Sequence, residues 1–335
     1  MAASNLLPFL LAAALAAPLS ACLTWALRPL LQHYALARPN ARSSHRVPTP
    51  QGGGIAVIAA TLVAAGAAAV AMHISVPVVI FAATLGIALL GAADDLKSMP
   101  VLPRLLLQAA AVGAVVSTLP PDARVFPVWP LGIERGLLFL AGLWFVNVVN
   151  FMDGLDLMTV AEVVPVTAAM VLVGSLGELP LQTTLVAAAL CGAMVGFAPF
   201  NRPVATVFLG DVGSLPIGLL LGWALMQLAS HQHLAAALLL PLYYLADASL
   251  TLARRIAKRE PFWAAHRTHF YQRATDNGFT VPRVVGEVFV LNVGLAVLAI
   301  ASAFAGSVTV NIVMVLLGAG AVALLLFRFS RSRSF

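Results

Sequence analysis

The sequence predicts an all-α integral membrane protein: a polytopic bundle of about eleven transmembrane helices, with a periplasmic N-terminus and a cytoplasmic C-terminus. Three observations carry this. Of 335 residues 61% are hydrophobic and only 10% charged, with a mean hydropathy of +0.97, whereas a soluble domain carries about 25% charge. Apolar runs long enough to cross a bilayer recur along the whole chain. The basic residues between them alternate in number from one side to the other.

The runs lie near 5–27, 52–72, 77–93, 104–119, 136–150, 160–176, 182–198, 213–230, 234–252, 284–304 and 308–327. In the first, Leu19-Ser20-Ala21-Cys22 resembles a lipoprotein cleavage box. A signal peptide needs a basic region before its apolar run, and the first basic residue here is Arg28, after it. The run is therefore expected to be a retained helix with its N-terminus outside. The run at 136–150 is short and open to a partly re-entrant reading. Cys22 and Cys191 both fall inside apolar runs, as small core residues rather than a disulfide framework.

With the N-terminus outside, 17 of the 19 basic residues fall on the cytoplasmic side, leaving Arg124 and Arg135 outside. Asp94, Asp95, Asp153, Asp156, Asp211, Asp247, Glu260 and Asp276 fall on the same side as the cations. The outer loops hold Asp122, Glu134 and Glu178, and His231 and His233 sit in a short outer turn that reads as solvated rather than metal-binding. No repeat or soluble domain interrupts the chain. Residues 1–335 read as one transmembrane catalytic domain, with cytoplasmic loops 28–51, 94–104, 199–212 and 253–283 gathering its polar chemistry. The last of these is amphiphilic and basic, suited to a partly helical segment on the inner leaflet.

Four polar clusters meet at that face. The stretch Asn147-Val-Val-Asn150-Phe-Met-Asp153-Gly-Leu-Asp156 places carboxamides and carboxylates three residues apart, so neighbours share a helix face. Ionisable groups at membrane depth are costly and mark function. Asp94-Asp95 ends the third run; two adjacent carboxylates repel, which suits a base or a pair facing a cation, and equally a helix C-terminal turn. Phe208-Leu-Gly-Asp211-Val-Gly-Ser214 opens the eighth run, where free backbone N–H groups favour anions; Asp211 also fits a simple N-cap. The fourth cluster is His266-Arg267-Thr-His269-Phe-Tyr-Gln-Arg273, preceded by Asp247, Thr251, Arg254 and Arg255. Arginine forks bind phosphate and aromatic faces stack on bases, although a basic patch on anionic lipid shares that composition. Carboxylates facing phosphate-binding cations imply Mg²⁺, with Mn²⁺ as a substitute, because hard oxygen ligands suit those ions. The joint reading is phosphoryl transfer from a nucleotide, with a membrane lipid as the second reactant. Nothing points to nucleic acid, and a homodimer is compatible with the chain.

These residues resemble the polyprenyl-phosphate N-acetylhexosamine-1-phosphate transferases, the family that starts O-antigen and related lipid-linked glycans and includes the phospho-MurNAc-pentapeptide translocase. The resemblance runs from Ser44-His45-Arg46-Val-Pro-Thr-Pro-Gln-Gly-Gly-Gly54 through Asp94-Asp95, Asn150-x-x-Asp153-Gly-x-Asp156 and Phe208-x-Gly-Asp211-x-Gly-Ser to the histidine loop. The His-Arg-x-His-x-Tyr-Gln form is similar to the O-antigen-initiating branch.

The resemblance implies a reaction and roles. An N-acetylhexosamine-1-phosphate would pass from a UDP-sugar (UDP-GlcNAc or a 6-deoxy relative such as UDP-FucNAc or UDP-QuiNAc) to undecaprenyl phosphate at the cytoplasmic face of a bacterial inner membrane, releasing UMP. Asp94 and Asp95 would lie at the reaction centre, with Asp94 deprotonating the lipid phosphate. Asp211 would be the principal Mg²⁺ ligand, joined by Asp153, while Asn150, Asp153 and Asp156 position nucleotide and metal. Phe208 would lie near the uracil. His266, Arg267 and His269 would hold the pyrophosphate, with Arg254 and Arg255 beside them, and His45 and Arg46 would bind the polyprenyl phosphate. The family reads Asp-Gly-x-Asp-Gly, whereas here Leu157 follows Asp156, which is expected to tilt the next helix. An ion-coupled transporter also keeps acids in its helices, but would place them near the midplane with access from both sides.

Overall fold

The computed structural model describes residues 3–37, 48–261 and 266–332. His45 and Arg46 lie outside them. Thirteen helices occur among the described residues: α1 Ala3–Tyr34, α2 Gly54–Ala71, α3 Val78–Leu96, α4 Val101–Ser117, α5 Leu131–Met152, α6 Met158–Ser175, α7 Leu181–Asn201, α8 Asp211–Ser230, α9 Leu234–Leu239, α10 Leu242–Ala257, α11 Phe270–Asp276, α12 Val281–Phe304 and α13 Val308–Phe329. The only sheet among them pairs β1 (Leu36–Ala37) antiparallel with β2 (Thr49–Pro50).

Every predicted apolar run is helical, yet nine of the described helices are long and apolar enough to cross a membrane. Two runs differ. The fourth forms the 17-residue α4, about 25 Å at 1.5 Å per residue, at the short limit for a span. The ninth is broken into α9 and α10 at Leu240-Pro241, because proline has no N–H to continue the ladder. The run at 136–150 is longer than the sequence suggests: α5 is a continuous 22-residue helix, long and apolar enough to cross a membrane.

The bundle is organised around α8. Every residue from Val212 to Ser230 is buried, as expected of a helix apolar on all sides. α3 and α5 flank it closely, with α2 alongside; α1, α2 and α7 form one wall, and α6 joins α7 to α12. In lipid, helices associate by close packing rather than by hydrophobic expulsion, so small residues sit at the contacts. At Gly91 of α3 a Cβ would lie 2.3 Å from the carbonyl oxygen of Asp211. Only glycine lets the end of α3 meet the start of α8, and that contact brings Asp94 and Asp95 to Asp211.

At the opposite end of the bundle the charges serve structure. Glu134 is fully buried and holds Arg124 Nε at 2.8 Å and the Val125 N–H at 3.0 Å. His233 Nε2 pairs with Glu178 at 3.0 Å, and no group of three His, Cys, Asp or Glu side chains among the described residues could hold a metal there or elsewhere.

Candidate active site

The start of α8 is held by a carboxylate from another helix. Asp95 Oδ1 accepts the Asp211 N–H at 2.9 Å and Oδ2 the Val212 N–H at 3.1 Å, while the Gln51 side-chain amide also donates to Oδ1. These are N–H groups that a helix leaves unpaired in its first turn, and a negative charge at that end is favoured by the helix dipole. Gly210, at φ +78°, makes the approach possible, since a Cβ there would lie 2.5 Å from Asp95 Oδ2. Asp95 is thus fully engaged as a tertiary cap.

Asp94 turns the other way. Its Oδ2 pairs with Arg104 Nη1 at 2.8 Å, its Oδ1 accepts the Met99 N–H at 2.5 Å, and its carboxyl also faces that of Asp211. Arg104, a residue the sequence did not single out, reaches to 4.0 Å from Asp211 Oδ2 as well. Asn150, in the last turn of α5, donates to Asp211 Oδ1 at 2.8 Å and to Ser214 Oγ at 2.9 Å. Helices α3, α4, α5 and α8 therefore converge on one carboxyl, that of Asp211.

Asp153 caps the C-terminus of α5 and accepts a hydrogen bond from Thr159 of α6. Burial first, and then the charges of Asp211, Asp95 and Asp156, push its carboxyl up to about 8, against which the Thr159 hydroxyl works. Asp156 accepts the Ala205 N–H at 3.0 Å, tying the α5–α6 loop to the segment after α7. Leu157 then opens α6 at φ +64°, a left-handed conformation that glycine adopts freely and leucine does not. Its N–H donates to Asn201 Oδ1 at 2.7 Å. The leucine takes up the backbone shape that a glycine would hold at ease. Phe208 is fixed through its backbone, donating to Pro50 O at 2.7 Å and accepting from Gly52 and Gly53, so the Gly-rich segment is stitched to the loop before α8.

The histidine loop hangs from Asp247, which is 0% exposed. Its oxygens accept the N–H groups of Phe270 at 3.0 Å and Tyr271 at 3.1 Å, and Oδ1 lies 3.2 Å from His269 Nδ1. Tyr243, Asp247, Thr251 and Arg255 recur every fourth residue on the buried face of α10, a polar ridge unlike any other helix here. The Tyr271 hydroxyl donates to Phe151 O at 3.0 Å, and its oxygen would lie 2.2 Å from a Cβ at Gly154, so the loop is locked against the Asn150–Asp153 segment. His266 and His269 lie side by side with ring centroids 4.9 Å apart. Burial, then His269 and Arg255, lower His266 to about 4, so it is a neutral hydrogen-bonding group at pH 7. Arg267 pairs with Asp276 at 2.6 Å and Thr275 at 2.9 Å, Arg255 with Glu260 at 2.9 Å, and Arg254 lies 4.6 Å over the Phe270 ring. The structure thus joins Asp94, Asp95 and Asn150 directly to Asp211, brings Asp153 close enough to feel the charges of Asp211 and Asp95, and sets His266 and His269 beside them through Phe151 and Tyr271.

The charge balance of this cluster suits a divalent cation. Among the described residues, Arg104 is the one cation at contact distance from the carboxylates of Asp94, Asp95, Asp153 and Asp211, 2.8 Å from Asp94 and 4.0 Å from Asp211. Asp95 and Asp94 have both oxygens engaged, whereas Asn150 and Thr159 each engage one oxygen of Asp211 and of Asp153; Asp211 and Asp153 would be the candidate donors for Mg²⁺, which is commonly held by one or two carboxylates, completed by water and substrate phosphates. The residues fit that open mode and not a closed protein cage, in line with the lack of any three-ligand group among the described residues.

Comparison with known proteins agrees with this geometry. Residues 77–229, which include every carboxylate of the cluster, match Glycosyl transferase family 4. The phospho-N-acetylmuramoyl-pentapeptide-transferase of Streptococcus thermophilus is 32% identical over 143 residues, 41% of each chain. The decaprenyl-phosphate N-acetylglucosaminephosphotransferase of Mycolicibacterium smegmatis is 31% identical over 214 residues, 57% of this chain and 52% of that one. Its counterpart in Mycobacterium leprae is 28% identical over 307 residues, 80% and 76% of the two. The chain thus spans about half or less of the length of the first two relatives. The motifs, their convergence at α8 and these matches together support placing the chain with the polyprenyl-phosphate hexosamine-1-phosphate transferases of glycosyl transferase family 4.

Proposed function

We propose that the protein transfers an N-acetylhexosamine-1-phosphate from a UDP-sugar to undecaprenyl phosphate at the cytoplasmic face of a bacterial inner membrane. The donor is UDP-GlcNAc or a 6-deoxy relative, and the product starts a lipid-linked glycan such as O-antigen. The observation that carries this is the convergence of Asp94 and Asn150 on Asp211 at the first turn of α8, with Asp153 close enough to feel its charge and the histidine loop docked beside them. An oxygen of the lipid phosphate bonds to the sugar-bearing phosphorus, and the bond from that phosphorus to UMP breaks, UMP keeping the electron pair.

In this reading Asp211 and Asp153 would hold Mg²⁺, which would neutralise charge on the phosphoryl oxygens. Asn150 fixes the Asp211 carboxyl, and Asp95 fixes its backbone. Asp94, held by Arg104, is the base for a protonated lipid phosphate, and Arg104 offers a guanidinium to the incoming anion. His266 and His269 donate hydrogen bonds to the donor's pyrophosphate, with Arg254, Arg255 and Arg267 supplying positive potential around them. Phe208 borders the nucleobase, and Asp156 secures the loop that carries Asp153. His45 and Arg46 serve the lipid phosphate.

The test is product identification. Purified protein with Mg²⁺, undecaprenyl phosphate and each UDP-N-acetylhexosamine in turn should release UMP and give a lipid heavier by one N-acetylhexosamine phosphate in the mass spectrum. The preferred donor names the sugar. Release of UDP in place of UMP, or UMP release that ignores the lipid, would overturn the proposal.

A further inference from the structure

Outside the catalytic cluster, three arginines gather where α12 begins and α13 ends. Phe279, Arg283, Phe327, Arg328, Arg331 and Ser332 line a concavity of about 490 Å³, within the roughly 300–1,000 Å³ of small-ligand pockets. Glu287 binds Arg328 in a two-pronged pair at 2.8 and 3.0 Å and also takes Arg283 at 3.0 Å. One carboxylate thus serves two guanidinium groups, while Arg331 has no carboxylate within ion-pair distance among the described residues and lies 4.0 Å over the Phe327 ring. Three positive charges against one negative leave the concavity strongly anion-seeking. Arg283 and Arg328 also cover Phe279, at 5.8 and 5.5 Å, so the floor is aromatic and the rim cationic.

We propose that this concavity binds the phosphodiester headgroup of an anionic glycerophospholipid. Both helices that form it are long and apolar enough to cross a membrane, and basic pockets between span ends are suited to lipid phosphates. Directly below it the flank of α13 is apolar and bare: Phe327 is 55% and Leu324 72% exposed. A lipid can set its phosphate on the arginines and its acyl chains along that flank, which a free anion cannot use. The site also touches the reaction machinery from behind. Asn277, at the end of α11, donates to Phe329 O at 2.7 Å, and the rings of Phe279 and Phe329 meet edge to face at 5.7 Å. A lipid bound here braces the far end of the short helix whose near end carries His269.

The full chain, stripped of lipid in a neutral detergent, is titrated with phosphatidylglycerol, phosphatidylcholine or inorganic phosphate, and retained molecules are counted by native mass spectrometry. Wild type should keep phosphatidylglycerol preferentially. Arg331→Ala should weaken retention roughly fivefold, as expected for one cation near a lipid surface, and Arg328→Gln/Arg331→Ala more than tenfold, with Lys258→Ala unchanged. Arg331 is exposed and holds no other helix, so loss of the fold will not mimic the effect, and the melting temperature of Arg331→Ala without lipid should match wild type. Equal retention by wild type and the double variant would overturn the proposal. So would equal retention of phosphatidylcholine, or displacement of the lipid by millimolar inorganic phosphate, which would mark a soluble-anion site.

Discussion

Removing the Asp95 carboxylate should cost stability before it costs chemistry. Its two oxygens accept the N–H groups of Asp211 and Val212 and the Gln51 amide at the buried start of α8. Hydrogen bonds to a charged group contribute about 1.5–3 kcal/mol each, and an orphaned buried donor costs about 1–3 kcal/mol. Asp95→Ala leaves two backbone donors without a partner at the first turn of the central helix, for a total of about 3–5 kcal/mol. Chains of 150–250 residues lose roughly 2–4 °C per kcal/mol, and a longer one less, so melting should fall by about 5–10 °C. Asp95→Asn keeps one acceptor but turns an NH₂ toward an N–H, and should fall about half as far. Asp94→Ala loses an ion pair to the partly exposed Arg104 and one N–H contact, for about 1–2 kcal/mol. Melting of the three variants by intrinsic fluorescence in one detergent gives the order directly. An Asp95→Ala protein that melts within about 2 °C of wild type would refute the capping argument, whatever its activity.

Three further expectations follow from the site. At Leu157 the left-handed backbone makes Leu157→Val worse than Leu157→Gly, since β-branching raises the cost of positive φ while glycine removes about 1 kcal/mol of strain; the two melting temperatures check the order. Tyr271→Phe removes the bond to Phe151 O and should raise KM for the nucleotide sugar about threefold to tenfold with a small change in melting, read from steady-state kinetics. Burial and neighbouring carboxylates hold the Asp153 proton up to about pH 8, well above the usual 3.8. Its contribution to stability is therefore full below about pH 4 and lost as pH rises through about 8. With Asp153 as a proposed ligand, Mg²⁺ would have to displace that proton, so its affinity should climb up to tenfold per pH unit between 6 and 8 and level off above. Calorimetry in buffers of different ionisation heat reads both affinity and proton release, and a flat profile would contradict the assignment.

The fold was legible because apolar length is a sufficient signal for a helix in a membrane, where every backbone group must be paired within its own segment. The break at Pro241 was there to be read, but the run across it is apolar throughout, and the polar ridge Tyr243-Asp247-Thr251-Arg255 shows only when α10 is separated from α9. The candidate site was legible where polar residues interrupt apolar runs, as at Asn150, Asp153 and Asp211. What holds those residues was not. Asp95 caps a helix that begins 116 positions later, and Asp247 caps α11 from 23 positions away; neither leaves a local mark. Arg104 looked like one more cytoplasmic cation until α4 folded back on Asp94. Glu162 carries no sequence signal of its role: it lies 1% exposed inside α6, bonded at 2.7 Å to Asn292 of α12. An acid in mid-helix has no motif around it.

The central claim is that Asp211 is where phosphoryl transfer is organised, and one measurement addresses it most directly. Asp211→Asn keeps the oxygen that accepts from Asn150 at 2.8 Å and removes only the charge. UMP release with Mg²⁺, undecaprenyl phosphate and the preferred UDP-sugar should fall by at least 100-fold, while melting temperature stays within about 2 °C of wild type. UMP release within threefold of wild type would place the reaction elsewhere.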